Sequence, residues 1–285
     1  MSGLLPYEAH YINSKGQRIN LTTLPYVITE SQLFDAKWKL TSAQQPLGEG
    51  IRLLGARRIG DERRMTVHVT ASSAVELAGY LNFMTSVFDY DIAALSPGKL
   101  WVNGQYLSCW CSAREKTLSC NFVSSAVVSI SILPEIPAWC TEKTCLLDDL
   151  EIVDEDGHSY PYNYDYRYGS GERVITLNNT HYAACPMRIT FYGPAAQPAI
   201  YINGSRVGAE LTLLENESVE IDQMKRTVYK TNASGVKTSC FNSRTKNGKV
   251  FEYAPPGESQ VLIDSRSAVR IILIEQRSEP VWALS

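Results

Sequence analysis

Histidine is scarce in this chain, with four in 285 residues. His10, His68, His158 and His181 each stand alone in their local sequence, so no histidine-centred triad or metal set is written along the chain. Phosphate-cradling and nucleophile patterns are missing as well: there is no GxGxxG after a strand, no P-loop, no HExxH and no GxSxG. No run of about 18 apolar residues occurs, so no membrane-spanning helix is expected. Basic blocks are absent too; the densest spots, Ala56-Arg57-Arg58 and Glu62-Arg63-Arg64, read as solvated loop or strand faces. With 27 basic against 30 acidic residues the formal charge is −3, which argues against a general nucleic-acid or anionic-membrane binder. The opening residues Met1 to Tyr7 lack a basic region followed by an apolar core, so no secretory signal is expected. The Asn-x-Ser/Thr sites at Asn20, Asn178, Asn203, Asn216 and Asn232 are then incidental.

What is present describes a folded protein. Hydrophobic residues make up 44% and charged residues 20%, and the length suits one large all-β domain or two ordinary ones. The seven cysteines (109, 111, 120, 140, 145, 185 and 240) are an odd number. Neither Cys109-Trp110-Cys111 nor the Cys140/Cys145 pair matches a zinc spacing, so reduced, buried thiols are expected and no metal is assigned. One pair, Cys111 and Cys120, falls on facing strands of an expected hairpin, where later oxidation is conceivable.

In the first half, Met65 to Thr70 alternates Met65, Val67 and Val69 against Thr66, His68 and Thr70, the pattern of a half-buried strand. Ser73 and Glu76 then form a capping box, and Leu77, Tyr80, Leu81, Met84, Val87 and Phe88 recur at three- and four-residue steps. That predicts an amphipathic helix over 75–88, ending near Asp89-Tyr90-Asp91. Asn103-Gly104 between apolar strands predicts a tight hairpin, because both central positions of its turn need positive φ. A second turn is expected at Arg114 to Lys116. Ala126 to Leu133 reads as a strand with Val128, Ile130 and Ile132 facing one way.

Pro134 to Cys140 marks the expected domain boundary, and the residues beyond it are almost purely β. Apolar runs at 174–177, 187–192, 199–202, 211–214, 219–221, 227–230, 250–253 and 269–274 alternate with turns, the spacing of an antiparallel sandwich. Two stretches there invite chemistry. The acids of 148–156 suggest a cation, but they lack EF-hand spacing, and Leu150, Ile152 and Val153 point to a strand with solvated acids. Tyr160, Tyr162, Tyr164, Tyr166 and Tyr168 alternate and would share one strand face. Three readings stay open for them: the inner face of the sandwich, a protein interface, or contact with a saccharide. No facing pair of carboxylates can be singled out as catalytic.

Four stretches carry a family resemblance. They are Leu33-Phe34-Asp35 through Trp38; Pro97-Gly98-Lys99-Leu100-Trp101-Val102-Asn103-Gly104-Gln105-Tyr106-Leu107; Tyr253 to Ser259 with its proline-glycine turn; and the ending Arg277-Ser278-Glu279-Pro280-Val281-Trp282. In order and spacing they resemble the distal tail (Dit) proteins of long-tailed phages, over nearly the whole chain apart from about 140–245. The resemblance implies a mainly β protein. An N-terminal β-rich ring-forming domain with one amphipathic helix would span 1–137, and a C-terminal galectin-like antiparallel β-sandwich 138–285. It further implies a non-enzymatic virion protein without cofactors, made in the host cytoplasm. A homo-hexameric ring at the distal end of the tail would join the tail tube protein to the tail-tip protein. Other baseplate proteins or host cell-wall saccharide are further candidate partners. Tyr80, Met84, Phe88, Trp101 and Tyr106 are the candidate oligomer contacts, and Tyr160 to Tyr168 the candidate saccharide or partner contact. The rival readings are a carbohydrate-binding module and, more remotely, a hydrolase with a β-sandwich accessory domain.

Overall fold

The computed structural model describes residues 7–44, 49–117, 124–146, 173–263 and 268–282. The fold is mainly β with one α-helix. The chain forms two compact units, one of residues 1–141 with 276–285 and one of residues 142–275. Residues 276–282, expected with the second domain, therefore group with the first unit.

In the first unit the strands are β1 (Ala9–Ile12), β2 (Arg18–Asn20), β3 (Thr22–Thr23), β4 (Tyr26–Ser31), β5 (Trp38–Gln44), β6 (Ile51–Arg58) and β7 (Arg63–Thr70). Helix α1 (Ala74–Ala93) follows, then β8 (Gly98–Val102), β9 (Gln105–Thr117), β10 (Ser125–Pro134) and β11 (Trp139–Leu146). The strands pair in the order β11-β9-β10-β7-β4-β3, with β8 joining β9 to β1 and β1 to β2. Alternation decides the faces: Met65, Val67 and Val69 of β7 and Val128, Ile130 and Ile132 of β10 point into the core, as their period of two requires. Helix α1 covers that face with Leu77, Met84, Val87 and Phe88. Full burial of a Phe or Met side chain contributes about 1.5–3 kcal/mol.

The capping box forms. Ser73 Oγ accepts from Glu76 N at 3.2 Å, while the Glu76 carboxylate reaches back to Ser72 N at 2.8 Å and to the Ser72 hydroxyl. The helix outruns its expected end by five residues because its last turn is tied to the body. Asp91 is fully buried and accepts from Tyr11 Oη (2.6 Å) and Ser14 N (2.6 Å), and Asn13 Nδ2 donates to Val87 O (3.2 Å). A Cβ at Gly98 would stand 2.1 Å from Tyr11 Oη, so this lock needs glycine there.

The Asn103-Gly104 hairpin is present, with φ of 48° and 77° at its two central residues and Val102 opposite Gln105. The turn expected at Arg114–Lys116 is not: β9 runs on to Thr117, with Arg114 opposite Ile130 and Lys116 opposite Val128. Pairing with β10 holds the polar run Ser112–Thr117 extended. Arg114 reaches over to α1, donating to Thr85 O at 3.2 Å and pairing with Asp89. Cys120 lies outside the described residues.

The second unit contains β12 (Arg173–Asn179), β13 (Met187–Tyr192), β14 (Ala195–Ala196), β15 (Ala199–Ile202), β16 (Ser205–Gly208) and β17 (Thr212–Leu213). It continues through β18 (Ser218–Asp222), β19 (Thr227–Thr231), β20 (Lys237–Ser239) and β21 (Gly257–Ile263) into β22 (Val269–Arg277). Two antiparallel sheets, β20-β19-β18-β13-β22 and β12-β21-β15-β16, share one core, the expected sandwich. Ile189, Phe191, Ile221 and Ile271 from one sheet meet Ile200, Val207, Val261 and Ile263 from the other. Residues 250–253, expected as a strand, form a turn: Glu252 N bonds Lys249 O at 2.9 Å, and Val250 is buried in the core with Phe251 packed against it. Asn179 ties the loops together, its Nδ2 donating to Ala183 O, Ala254 O and Pro255 O at 3.0–3.1 Å.

Candidate assembly surface

Three of the four stretches that carried the family resemblance converge in the first unit, and Tyr253 to Ser259 lies in the second. Phe34 sits at 4.8 Å from Trp282 and 5.1 Å from Tyr7, both edge to face, and at 6.3 Å from the buried Trp139. Val281 bridges the tight hairpin: its N–H donates to Gln105 Oε1 at 3.1 Å, and its carbonyl accepts from Asn103 Nδ2 at 3.1 Å. Asn103 Oδ1 accepts from Glu8 N at 3.1 Å. The Leu33-Phe34 segment, the Asn103-Gly104-Gln105 turn and the Pro280-Val281-Trp282 ending thus form one clasp. The motif residues fasten the unit's own termini, a structural reason for those residue types.

The five candidate oligomer contacts divide by position. Met84 and Phe88 are fully buried in the unit's own core, and Tyr106 is buried beneath the Lys99 ammonium, 4.1 Å from its ring. Tyr80 and Trp101 are half-buried at the surface. The Tyr80 hydroxyl donates to Glu76 Oε1 at 2.6 Å and Trp101 stacks on His10 at 6.0 Å. Met84 and Phe88 are therefore closed to any neighbour, while Tyr80 is half open and Val75, Phe83, Tyr90 and Ile92 are exposed on the helix. Tyr160, Tyr162, Tyr164, Tyr166 and Tyr168, and the acidic run 148–156, lie outside the described residues.

A larger exposed apolar feature had not been expected. Among the described residues strands β5 and β6 pair only with each other, and nearly every residue of both is exposed. The hairpin root is held by Ile59 N to Lys37 O (3.0 Å) and by the Lys37–Asp61 ion pair (3.0 Å). Trp38 lies opposite Arg58, whose guanidinium sits 5.2 Å over the indole. The alternation Trp38-Lys39-Leu40-Thr41 carried a strand signal. Its partner was hidden because Leu54 is an extra residue in β6, between the pairs Thr41–Gly55 and Ser42–Leu53, and breaks the period.

Little chemistry is assembled. Among the described residues no group of three or more His, Cys, Asp or Glu is placed to hold a metal ion. His68 points away from the core, as its strand pattern required, and His181 is buried. Burial pushes the thiols of Cys111 and Cys185 up to about 11 and that of Cys109 higher still, the opposite of an activated nucleophile. Burial also raises the Tyr11 phenol well above its ordinary value, which keeps it a donor to Asp91. No described helix is long and apolar enough to cross a membrane.

No protein-family model matches the chain, and no curated protein matches it. Solved structures do. The SPP1 Dit protein, described as a paradigm of the hub adsorption apparatus in phages infecting Gram-positive bacteria, aligns with a TM-score of 0.57 at 8% identity, over 95% of this chain and 99% of its own. A chain of the phage P2 baseplate in its activated conformation with Ca aligns with a TM-score of 0.64 at 11% identity, over 96% and 99%. The same baseplate with Sr gives 0.63 at 11%, over 96% and 99%. The chain has the fold of the phage distal-tail hub. Both units take part, since the alignments leave almost nothing of either chain uncovered. At such low identity the likeness rests on the order and pairing of the strands, which a shared core pattern keeps while individual residues change.

Proposed function

We propose that the chain is a structural protein of a long-tailed phage or prophage tail, a distal hub without catalytic activity. In this reading it forms a homo-hexameric ring joining the tail tube to the tail tip or baseplate. The fold likeness over 95% or more of the chain, to a hub protein and to a baseplate chain, carries the reading. The concentration of unpartnered apolar surface on the first unit agrees with it, since a monomer in water has no use for such a surface. The first unit forms the ring, and Tyr80 and Trp101 remain half-exposed contacts on it. The second unit faces other baseplate proteins or host saccharide, with Tyr160 to Tyr168 as the proposed contact row.

Native mass measurement with negative-stain imaging of the same peak tests this. Six-fold rings with an axial hole are expected. A chain that stays monomeric at every concentration, with and without tail-tube protein, would overturn the ring. Replacement of the five tyrosines by serine should abolish retention on host cell-wall saccharide if that row is the contact, and unchanged retention would remove the assignment.

A further inference from the structure

The β5–β6 register sorts the hairpin into two unlike faces. Trp38, Leu40, Leu53, Ile51 and Ala56 share one side with Ser42, Gln44 and, at its root, Arg58, while Lys39, Arg52 and Arg57 share the other. Trp38, Leu40, Ile51 and Leu53 are 46%, 60%, 74% and 56% exposed, so among the described residues the apolar side is left open apart from the Arg58 guanidinium over Trp38. An isolated two-stranded ribbon gains little from its own pairing and needs a surface to lie on. Outward residues of α1 form the second such surface: Val75, Gly79, Phe83, Ser86 and Tyr90 recur at three- and four-residue steps. The whole helix holds no Lys or Arg, and its only charges are Glu76, Asp89 and Asp91. Lys15 stands at one end of the stripe, 5.6 Å over the Tyr90 ring. Hairpin and helix, with Leu95 just beyond its end, carry ten of the 22 exposed large apolar residues among the described residues, which sets them apart from the scattered remainder.

Size and charge fit as well. The stripe from Val75 to Tyr90 is about 22 Å long at 1.5 Å per residue. Strand β5 is about 20 Å long from Trp38 to Gln44. The hairpin strands hold four cations and no acid, and the chain's formal charge is −3, so the rest of the molecule stands at −7. A cationic arm on an acidic body is drawn to another copy of that body.

We propose that the apolar face of the β5–β6 hairpin of one copy lies along the outward stripe of α1 of the next copy, head to tail. The inference rests on the self-assembly of the proposed function and names the two surfaces that meet. Such a heterologous contact uses different patches on its two sides, so it propagates from copy to copy and closes where the rotation allows.

Two variants, Leu53→Asp on the hairpin and Phe83→Asp on the helix, test it by native mass. Both sites are exposed, so each variant should keep the wild-type circular-dichroism spectrum and a cooperative unfolding transition. Each alone should run at monomer mass. Mixed in equal amounts they should give a dimer and nothing larger, because one intact hairpin and one intact stripe remain. Wild-type rings that both variants preserve would overturn the docking and leave the ring standing. Monomeric variants that give no dimer on mixing would also overturn it, and a variant that still dimerises on its own would overturn it in favour of like patches pairing with like. Open chains that both variants break and mixing restores to dimers would uphold the docking and overturn the ring. A wild-type chain that never associates would overturn both.

Discussion

Among the described residues of the second unit the large exposed apolar side chains are dispersed: Val174, Tyr182, Leu214, Tyr229, Val236, Phe241 and Tyr253 fall on separate strands and turns. In the first unit Trp38, Leu40, Ile51, Leu53 and Leu54 share one hairpin, and Val75, Phe83, Tyr90 and Ile92 share one helix. The difference follows from architecture. Two sheets laid face to face cover each other, so the sandwich closes on itself and leaves the scatter normal for a soluble surface. A sheet covered by one helix leaves that helix an outer face, and a hairpin outside the sheet leaves both of its faces. Where those surfaces are apolar, association is the physical remedy. Stability and assembly thus reside in different residues, and the following changes separate them.

The largest effects should come from the cores. Phe88→Ala and Phe191→Ala each remove a fully buried ring, at about 3–5 kcal/mol. All five tryptophans (38, 101, 110, 139 and 282) belong to the first unit, so denaturant unfolding followed by tryptophan fluorescence reports on that unit. Phe88→Ala should move that transition, whereas Phe191→Ala should move only the β-sheet circular-dichroism signal. Equal movement of both probes would mean that the units unfold as one.

Next in size, Asp91→Ala leaves the Tyr11 hydroxyl and the Ser14 amide without their partner, and should cost about 1–3 kcal/mol in the fluorescence transition. An unshifted midpoint would show that water replaces the carboxylate. Trp282→Ala opens the clasp against Phe34 and Tyr7. Because the indole is half exposed, about 1–2 kcal/mol is expected, confined to the first unit and read by the remaining four tryptophans.

Acid should then loosen the start of α1. Hydrogen bonds from Ser72 and Tyr80 hold the Glu76 carboxyl down to about 2 from the model-peptide value of 4.5. Its folded value is depressed, so its stabilisation is complete above the unfolded value and is lost as pH falls from about 4.5 towards 2. Amide exchange in the first turn should accelerate across that window, and Glu76→Gln should remove the pH dependence. Least of all, Leu40→Thr on the hairpin should leave unfolding within about 0.5 kcal/mol of wild type. A larger loss would show that the hairpin packs on its own unit.

Much of the fold could be read directly from residue order. The helix, its capping box, the Asn103-Gly104 turn and the inward faces of β7 and β10 all depend on neighbours within a few positions. The misreadings have equally specific causes. Polar residues at 112–117 resemble a turn until β10 pairs with them, and Val250 resembles part of a strand because one buried residue in a turn is as apolar as one in a sheet. The assembly residues were harder to place. Periodicity marked Met84 and Phe88 as an apolar stripe but was silent on whether their own sheet or a neighbour would cover it.

Sequence alone therefore determined the local elements, the alternating core faces and the absence of catalytic and phosphate-binding patterns, because each is a property of side chains a few residues apart. Only the tertiary structure decided that the Arg277–Trp282 ending returns to Phe34 and the Asn103 turn, that α1 spends its apolar stripe on its own sheet, and that β5–β6 stands uncovered. Those outcomes depend on which distant surfaces meet, and hydrophobic attraction has no direction by which a sequence could specify the partner in advance.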